Sequence, residues 1–125
     1  MKERTVLLRM FLNDGGDNWN SSMNWYSNLN HCGWEGITCS SNAVTEIHLQ
    51  DHNLIGPYPT DLYSIASLSS LDLSLNSLVG TTPDDICSRS TSNALYLVGD
   101  ATNCPNEYNE AALEYSEGCC DVVQG

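Results

Sequence analysis

A histidine and an aspartate stand at matching places in two like segments of this chain, and of all its side chains they come nearest to a catalytic pair. His48 lies in VTEIHLQ and Asp72 in LSSLDLS. On neighbouring strands, a carboxylate could orient an imidazole for general-base work. The rest of a nucleophilic site is missing. No serine occupies a strand-to-helix elbow, and all six cysteines read as disulfide partners. Two adjacent strands also put the pair on an open face rather than in a pocket. No catalytic residue is assigned, and the chain is expected not to be an enzyme.

Metal chemistry fares no better. His48 and His52 are expected on different faces, with His31 far from both in sequence. Neither Cys32/Cys39 nor Cys87/Cys104 has the short spacing of a zinc knuckle, and Cys119 and Cys120 are adjacent. The string Asn13-Asp14-Gly15-Gly16-Asp17 has the composition of a calcium loop. Its carboxylates do not alternate, however, and no bidentate glutamate closes it. No metal and no cofactor is expected. Trp19, Trp25 and Trp34 are interleaved with Asn, Ser and Gly, a composition that suits either a sugar platform or a lid over an open core. The lid is the preferred reading.

What must position these residues is a repeat. Residues 44–59, VTEIHLQDHNLIGPYP, align with 68–83, LSSLDLSLNSLVGTTP, at one constant offset, the one that carries Ile47 onto Leu71. Leu49 matches Leu73, Leu54 matches Leu78, Gly56 matches Gly80 and Pro59 matches Pro83. A period in the twenties with L-x-x-L-x-L-x-x-N-x-L marks a leucine-rich repeat. Each L-x-L segment reads as a short strand with its leucines inward. Asn76 falls where a side-chain amide can pair the backbone as the strand turns away, and His52 replaces it in the first copy. The glycines permit a close bend, and Pro59 and Pro83 open return segments that each carry a helical turn. The same offset puts Leu95, Leu97 and Asp100 in a third, partial copy, after which the pattern stops.

Around the repeats stand two caps. The apolar spacing of Val6, Leu7, Met10 and Phe11 predicts a helix over residues 1–13 that the glycines end. Cys32 and Cys39 close a tight loop around Trp34, contributing roughly 2–3 kcal/mol. Cys87, Cys104, Cys119 and Cys120 staple a C-terminal cap, with the adjacent pair expected to bond outward to Cys87 and Cys104. A short helix is expected at 107–117. The organisation is thus an N-terminal cap over 1–43, two repeats over 44–91, and a partial repeat with a cysteine-rich cap over 92–125.

The chain has 125 residues and a net charge of −12, from 16 acids against 4 bases. Such a surface repels phosphate backbones, so nucleic acid is not an expected partner. Paired cysteines and the sequon Asn20-Ser21-Ser22, a candidate glycosylation site at Asn20, point to an oxidising, extracellular or cell-surface location. No signal peptide is visible, and no run nears the ~18 apolar residues of a membrane span. A mature or truncated portion of a secreted or membrane-anchored protein is the expectation, with no membrane contact by this segment itself.

At Cys32-Gly33-Trp34-Glu35-Gly36-Ile37-Thr38-Cys39, followed by the L-x-G-x-x-P repeats, the chain resembles plant-type leucine-rich repeat ectodomains. The cysteines after Pro83-Asp84-Asp85-Ile86-Cys87 look like those of diatom-type repeat proteins. The resemblance implies an α/β fold: a short right-handed solenoid with a parallel concave sheet and N- and C-terminal caps. It implies a receptor-like, non-catalytic module that recognises a protein, peptide or glycan on that sheet. The alternatives are a secreted inhibitor of a cell-wall-degrading enzyme or a structural, ice-binding repeat. The ice-binding reading rests on one narrow column, Thr45, Ser69 and Asn93. Tyr58 and Thr82 stand where the family usually has isoleucine, which is expected to weaken the second strand of each repeat.

At the repeat's own offset, the outward columns are Glu46, Ser70, Ala94; His48, Asp72, Tyr96; Gln50, Ser74, Val98; and Asp51, Leu75, Gly99. The candidate ligand-binding residues are Glu46, His48, Gln50, Asp51, Ser70, Asp72, Ser74 and Tyr96. Three strands at ~4.8 Å spacing give a patch only about 10 Å across, well short of the ~800 Å² per partner of a standard interface.

Overall fold

The computed structural model describes residues 2–92, 94–100 and 103. Helix α1 (Glu3–Asn13) buries Val6, Leu7, Met10 and Phe11. One face is apolar because those positions follow the helical period. The helix stops at Asp14, whose N–H still donates to Met10 O at 2.9 Å, and Gly15 then takes φ +74°.

Strand β1 (Ile37–Ser40) turns back antiparallel onto β2 (Ala43–His48). Ser41 and Asn42 both have positive φ, the geometry of a two-residue hairpin whose twist suits the strands. A two-stranded parallel sheet joins β3 (Ile55–Pro57) to β5 (Ser77–Val79). The larger sheet continues from β2 in parallel through β4 (Ser70–Asp72) to β6 (Tyr96–Val98). The smaller sheet forms even though Tyr58 and Thr82 replace isoleucine. Both are buried, with Tyr58 N–H donating to Val79 O at 2.7 Å and Thr82 N–H to Asn103 O at 2.9 Å. The return segments differ: a 3-10 turn over Thr60–Ser64 in the first repeat, and helix α2 (Asp84–Thr91) in the second.

That difference corrects the third strand. Between β2 and β4 the register is the expected one, with Glu46 opposite Ser70 and His48 opposite Asp72. Between β4 and β6 it is longer by two positions. Leu71 pairs with Leu97 rather than Leu95, Ser70 with Tyr96 and Asp72 with Val98. An α-helix advances about 1.5 Å per residue against about 2.0 Å for a 3-10 turn. Crossing a similar distance therefore takes more chain. An even slip keeps the side-chain alternation, so Leu95 and Leu97 still point inward, at 2% and 0% exposure.

Between the layers lie Ile47, Leu49, Leu54, Leu62, Leu71, Leu73, Leu78 and Ile86, all buried. Asn76 braces the turn out of each strand, where Asp51 and Leu75 both have positive φ. Its Oδ1 accepts from His52 N and Leu54 N at 3.0 Å each, and its Nδ2 donates to Leu49 O at 2.8 Å and to Leu73 O and Ser74 O at 3.1 Å. In the next layer the Asp100 carboxylate accepts from Leu75 N and Asn76 N. Asn103 acts elsewhere, its Nδ2 donating to Leu78 O and Gly80 O along β5 of the smaller sheet. Gly56 is required where β3 passes α1: it has φ +98°, and a Cβ there would stand 2.5 Å from Asn13 O.

The aromatic lid covers the end of the core. Trp19, Trp25 and Trp34 are buried. Phe11 meets Trp19 edge-on at 5.3 Å, Trp19 meets Trp25 at 4.9 Å, and Trp25 meets Trp34 at 5.0 Å. Trp19 Nε1 donates to Asp14 O and Trp25 Nε1 to Glu35 O, so these rings close the core rather than face a ligand. Arg4 lies 4.7 Å over the Trp34 ring. The Cys32–Cys39 disulfide is present. Cys87 is also disulfide-bonded, but Cys104, Cys119, Cys120 and the expected 107–117 helix lie outside the described residues.

Candidate recognition surface

The outward face of β2, β4 and β6 holds the polar residues singled out by spacing, in an order changed by the slip. One row is Glu46, Ser70, Tyr96, and the next is His48, Asp72, Val98. Tyr96 therefore stands beside Ser70, not beside Asp72, and Ala94 precedes β6. Tyr96 is 53% exposed. Gln50 and Asp51 lie beyond the end of β2, and Ser74 beyond β4.

The hydrogen bonds draw His48 and Asp72 apart. His48 Nε2 is 2.9 Å from Ser70 Oγ and 3.5 Å from Glu46 Oε1. Asp72 is turned the other way: its Oδ1 accepts from Ser74 N at 3.0 Å and Ser74 Oγ at 2.6 Å. This Asx-type turn closes the strand end. In a proton relay, base and orienting carboxylate sit on opposite ring nitrogens. Here the serine and the nearer carboxylate share one ring nitrogen, which is not the arrangement of such a relay.

Asn20, the sequon residue, is exposed and donates through Nδ2 to Asp51 O at 2.9 Å, while its N–H donates to His52 O at 2.9 Å. It ties the lid to the first repeat where His52 takes the ladder position. The ring of His52 bonds Gln50 O at 2.6 Å. His48 and His52 thus serve separate local contacts, and His31 lies against Glu3.

Spacing gave no warning of Asp14. No part of it reaches solvent, and neither carboxyl oxygen has a hydrogen-bond partner among the described residues. Burial pushes its pKa up from 3.8 to about 7. It borders a cavity of about 140 Å³ between α1 and the first return segment, which Arg9, Tyr58 and Asp61 also line. Arg9 Nη1 pairs with Asp61 Oδ2 at 3.1 Å. No helix among the described residues is long and apolar enough to cross a membrane.

Residues 2–40 match the model of the leucine rich repeat N-terminal domain. The rice (Oryza sativa subsp. japonica) receptor protein kinase WSS1 is 44% identical over 57 residues, covering 43% of this chain and 6% of that protein. Receptor-like protein 3 of Arabidopsis thaliana is 37% identical over 71 residues, covering 54% of this chain and 9% of its own length. The chain thus spans under a tenth of either relative. Among solved structures, the Arabidopsis receptor kinase HAESA, in complex with the peptide hormone IDA and the co-receptor SERK1, superposes with TM-score 0.58 at 29% identity, covering 80% of this chain and 17% of that one. The Arabidopsis thaliana BIR2 ectodomain gives TM-score 0.54 at 31% identity, covering 78% and 53%. The chain carries a leucine-rich repeat N-terminal cap and is similar to plant receptor-like leucine-rich repeat ectodomains.

Proposed function

We propose that this chain is a short right-handed leucine-rich repeat solenoid, part of an extracellular or cell-surface receptor-like protein, that recognises a protein or peptide on its concave sheet without catalysis. The observation that carries this reading is the row Glu46, Ser70, Tyr96, with His48 hydrogen-bonded into it. A carboxylate, a hydroxyl, an imidazole and an exposed phenol side by side suit a peptide bearing donors and a cationic group. The HAESA neighbour is a complex with a peptide hormone, which favours a peptide over a glycan. The bases support the orientation. Arg4 lies on the lid, Arg9 pairs with Asp61, and Arg89 pairs with Asp85 on α2. None of these three stands on the outward face of β2, β4 and β6.

The test is selection of binders from a displayed random peptide library on the oxidised chain, followed by affinity measurement on variants. His48→Ala/Tyr96→Ala is expected to weaken selected peptides at least tenfold, about 1.4 kcal/mol. Tyr63→Ala, on the return segment, is expected to leave affinity unchanged. Equal affinity for parent and double variant would sink the reading.

A further inference from the structure

The lid carries an open hollow of about 390 Å³, lined by Phe11, Leu12, Asp17, Ser22, Trp25 and Tyr26. Phe11 and Trp25 are buried and stack at 5.9 Å with an interplanar angle of 15°, so they form its floor. The Tyr26 ring stands 5.6 Å from Phe11 and is 57% exposed. Leu12, on the last turn of α1, is exposed as well. Tyr26 has φ +61°, a left-handed conformation that a bulky side chain rarely adopts. A ring that served only the core would be buried. This one is held outward by strained backbone, a pattern that concentrates at ligand sites.

Asp17 supplies the charge. It follows α1 in the 3-10 turn Gly16–Asn18, is exposed, and belongs to none of the ion pairs among the described residues. The chain has four basic residues. Arg4 donates to Leu29 O and Ser27 O, Arg9 pairs with Asp61, and Arg89 pairs with Asp85. Lys2 precedes α1, whose 11 residues hold it about 16 Å from the end that Asp17 follows. No basic side chain of this chain therefore fills the hollow.

We propose that the hollow binds an arginine side chain of a partner protein or peptide, its guanidinium lying over the Tyr26 ring and donating to the Asp17 carboxylate, with its methylene stem against Leu12. Guanidinium is planar and weakly hydrated, so it stacks on an aromatic face and forks onto a carboxylate at once. A lysine ammonium, compact and strongly hydrated, does neither as well. Half of this contact already exists within the chain, where the Arg4 guanidinium lies 4.7 Å over the Trp34 ring. The net charge of −12 draws such a cation in. The site shares no residue with the row Glu46, Ser70, Tyr96, and neither depends on the other.

The test titrates the full, oxidised, isotope-labelled chain with N-acetyl-arginine methylamide. Saturating shifts are expected at the Trp25 indole and at the amides of Leu12 and Tyr26, with residues 46–48 and 70–72 unmoved. The citrulline analogue has the same shape without the charge and is expected to bind about tenfold more weakly, as is the arginine probe to Asp17→Asn. Tyr26→Leu keeps an apolar side chain without the ring and should lose about threefold. The lysine analogue should also bind more weakly than arginine, and the Trp19 and Trp34 indole resonances report that each variant stays packed. Equal affinity for the arginine and citrulline probes, or for parent and Asp17→Asn, would overturn the proposal. So would a lysine probe as tight as arginine, which marks charge attraction alone. Shifts centred on residues 46–50 and 70–74 would place the cation on the sheet instead, overturning this site while leaving the sheet reading intact.

Discussion

Asn76→Ala is expected to lower the unfolding free energy by about 3–5 kcal/mol, a large part of the ~5–15 kcal/mol a domain of this size holds. Asn76 makes five contacts of 2.8–3.1 Å, two accepted and three donated, all to backbone groups of the two repeats. Alanine leaves the N–H groups of His52 and Leu54 and the carbonyls of Leu49 and Leu73 facing a gap, while Ser74 O keeps the N–H of Asp51. An unmatched buried backbone group costs about 1–3 kcal/mol, and some of these will be reached by water, which keeps the sum at the stated range. Asn76→Asp is expected to fare little better. It keeps both accepted bonds but turns an anionic oxygen toward Leu49 O, Leu73 O and Ser74 O. Chemical denaturation checks both variants, and a loss below about 1 kcal/mol with unchanged slope would mean the amide braces nothing essential.

Asp14→Asn is expected to stabilise the chain above neutral pH and to flatten its pH dependence. The residue cannot swing outward. Its N–H donates to Met10 O at 2.9 Å, and its carbonyl accepts from Trp19 Nε1 at 2.9 Å and Ile55 N at 3.1 Å. With the carboxyl pKa raised from 3.8 to about 7, the folded chain holds a proton at intermediate pH that the unfolded chain has lost. The state that binds more protons is favoured by acid. Stability from this group therefore falls as pH rises from ~4 to ~7 and stays at the lower value beyond. Asparagine has no charge to bury at any pH. The variant's melting temperature should exceed the parent's by roughly 5–10 °C at pH 8 and approach it only near pH ~3.5, below the unfolded pKa. Parallel profiles for the two proteins across that window would show that the Asp14 carboxyl finds a partner.

The repeat was legible because parallel strands in register demand the same residue types at the same phase. Ile47 and Leu49 announce themselves by recurring as Leu71 and Leu73 at one fixed interval, and all four are buried. The tryptophan lid and the Cys32–Cys39 loop were legible from composition and spacing. The slip at β6 was hidden because inward leucines persist at Leu95 and Leu97 under either register. The length of the return segment, 3-10 turn or α-helix, decides between them. The hairpin of β1 on β2 was missed, although Ser41-Asn42 between two alternating segments is a turn signal. His48 and Asp72 stand opposite each other on neighbouring strands as the spacing placed them; what spacing did not reveal is that the Asp72 carboxylate turns to Ser74. Asp14 was read as part of a helix stop, and nothing in the string NDGGD reveals that the β3 crossing at Gly56 seals it from water.

The expected role of the sheet face can be read directly by amide chemical-shift mapping on the isotope-labelled, oxidised chain titrated with a library-selected peptide. The account predicts the largest changes at residues 46–50, 70–74 and 96–98, with Tyr96 and Ser70 responding together because they are cross-strand neighbours. Changes confined to α1, the tryptophan lid or the Thr60–Ser64 turn would contradict it.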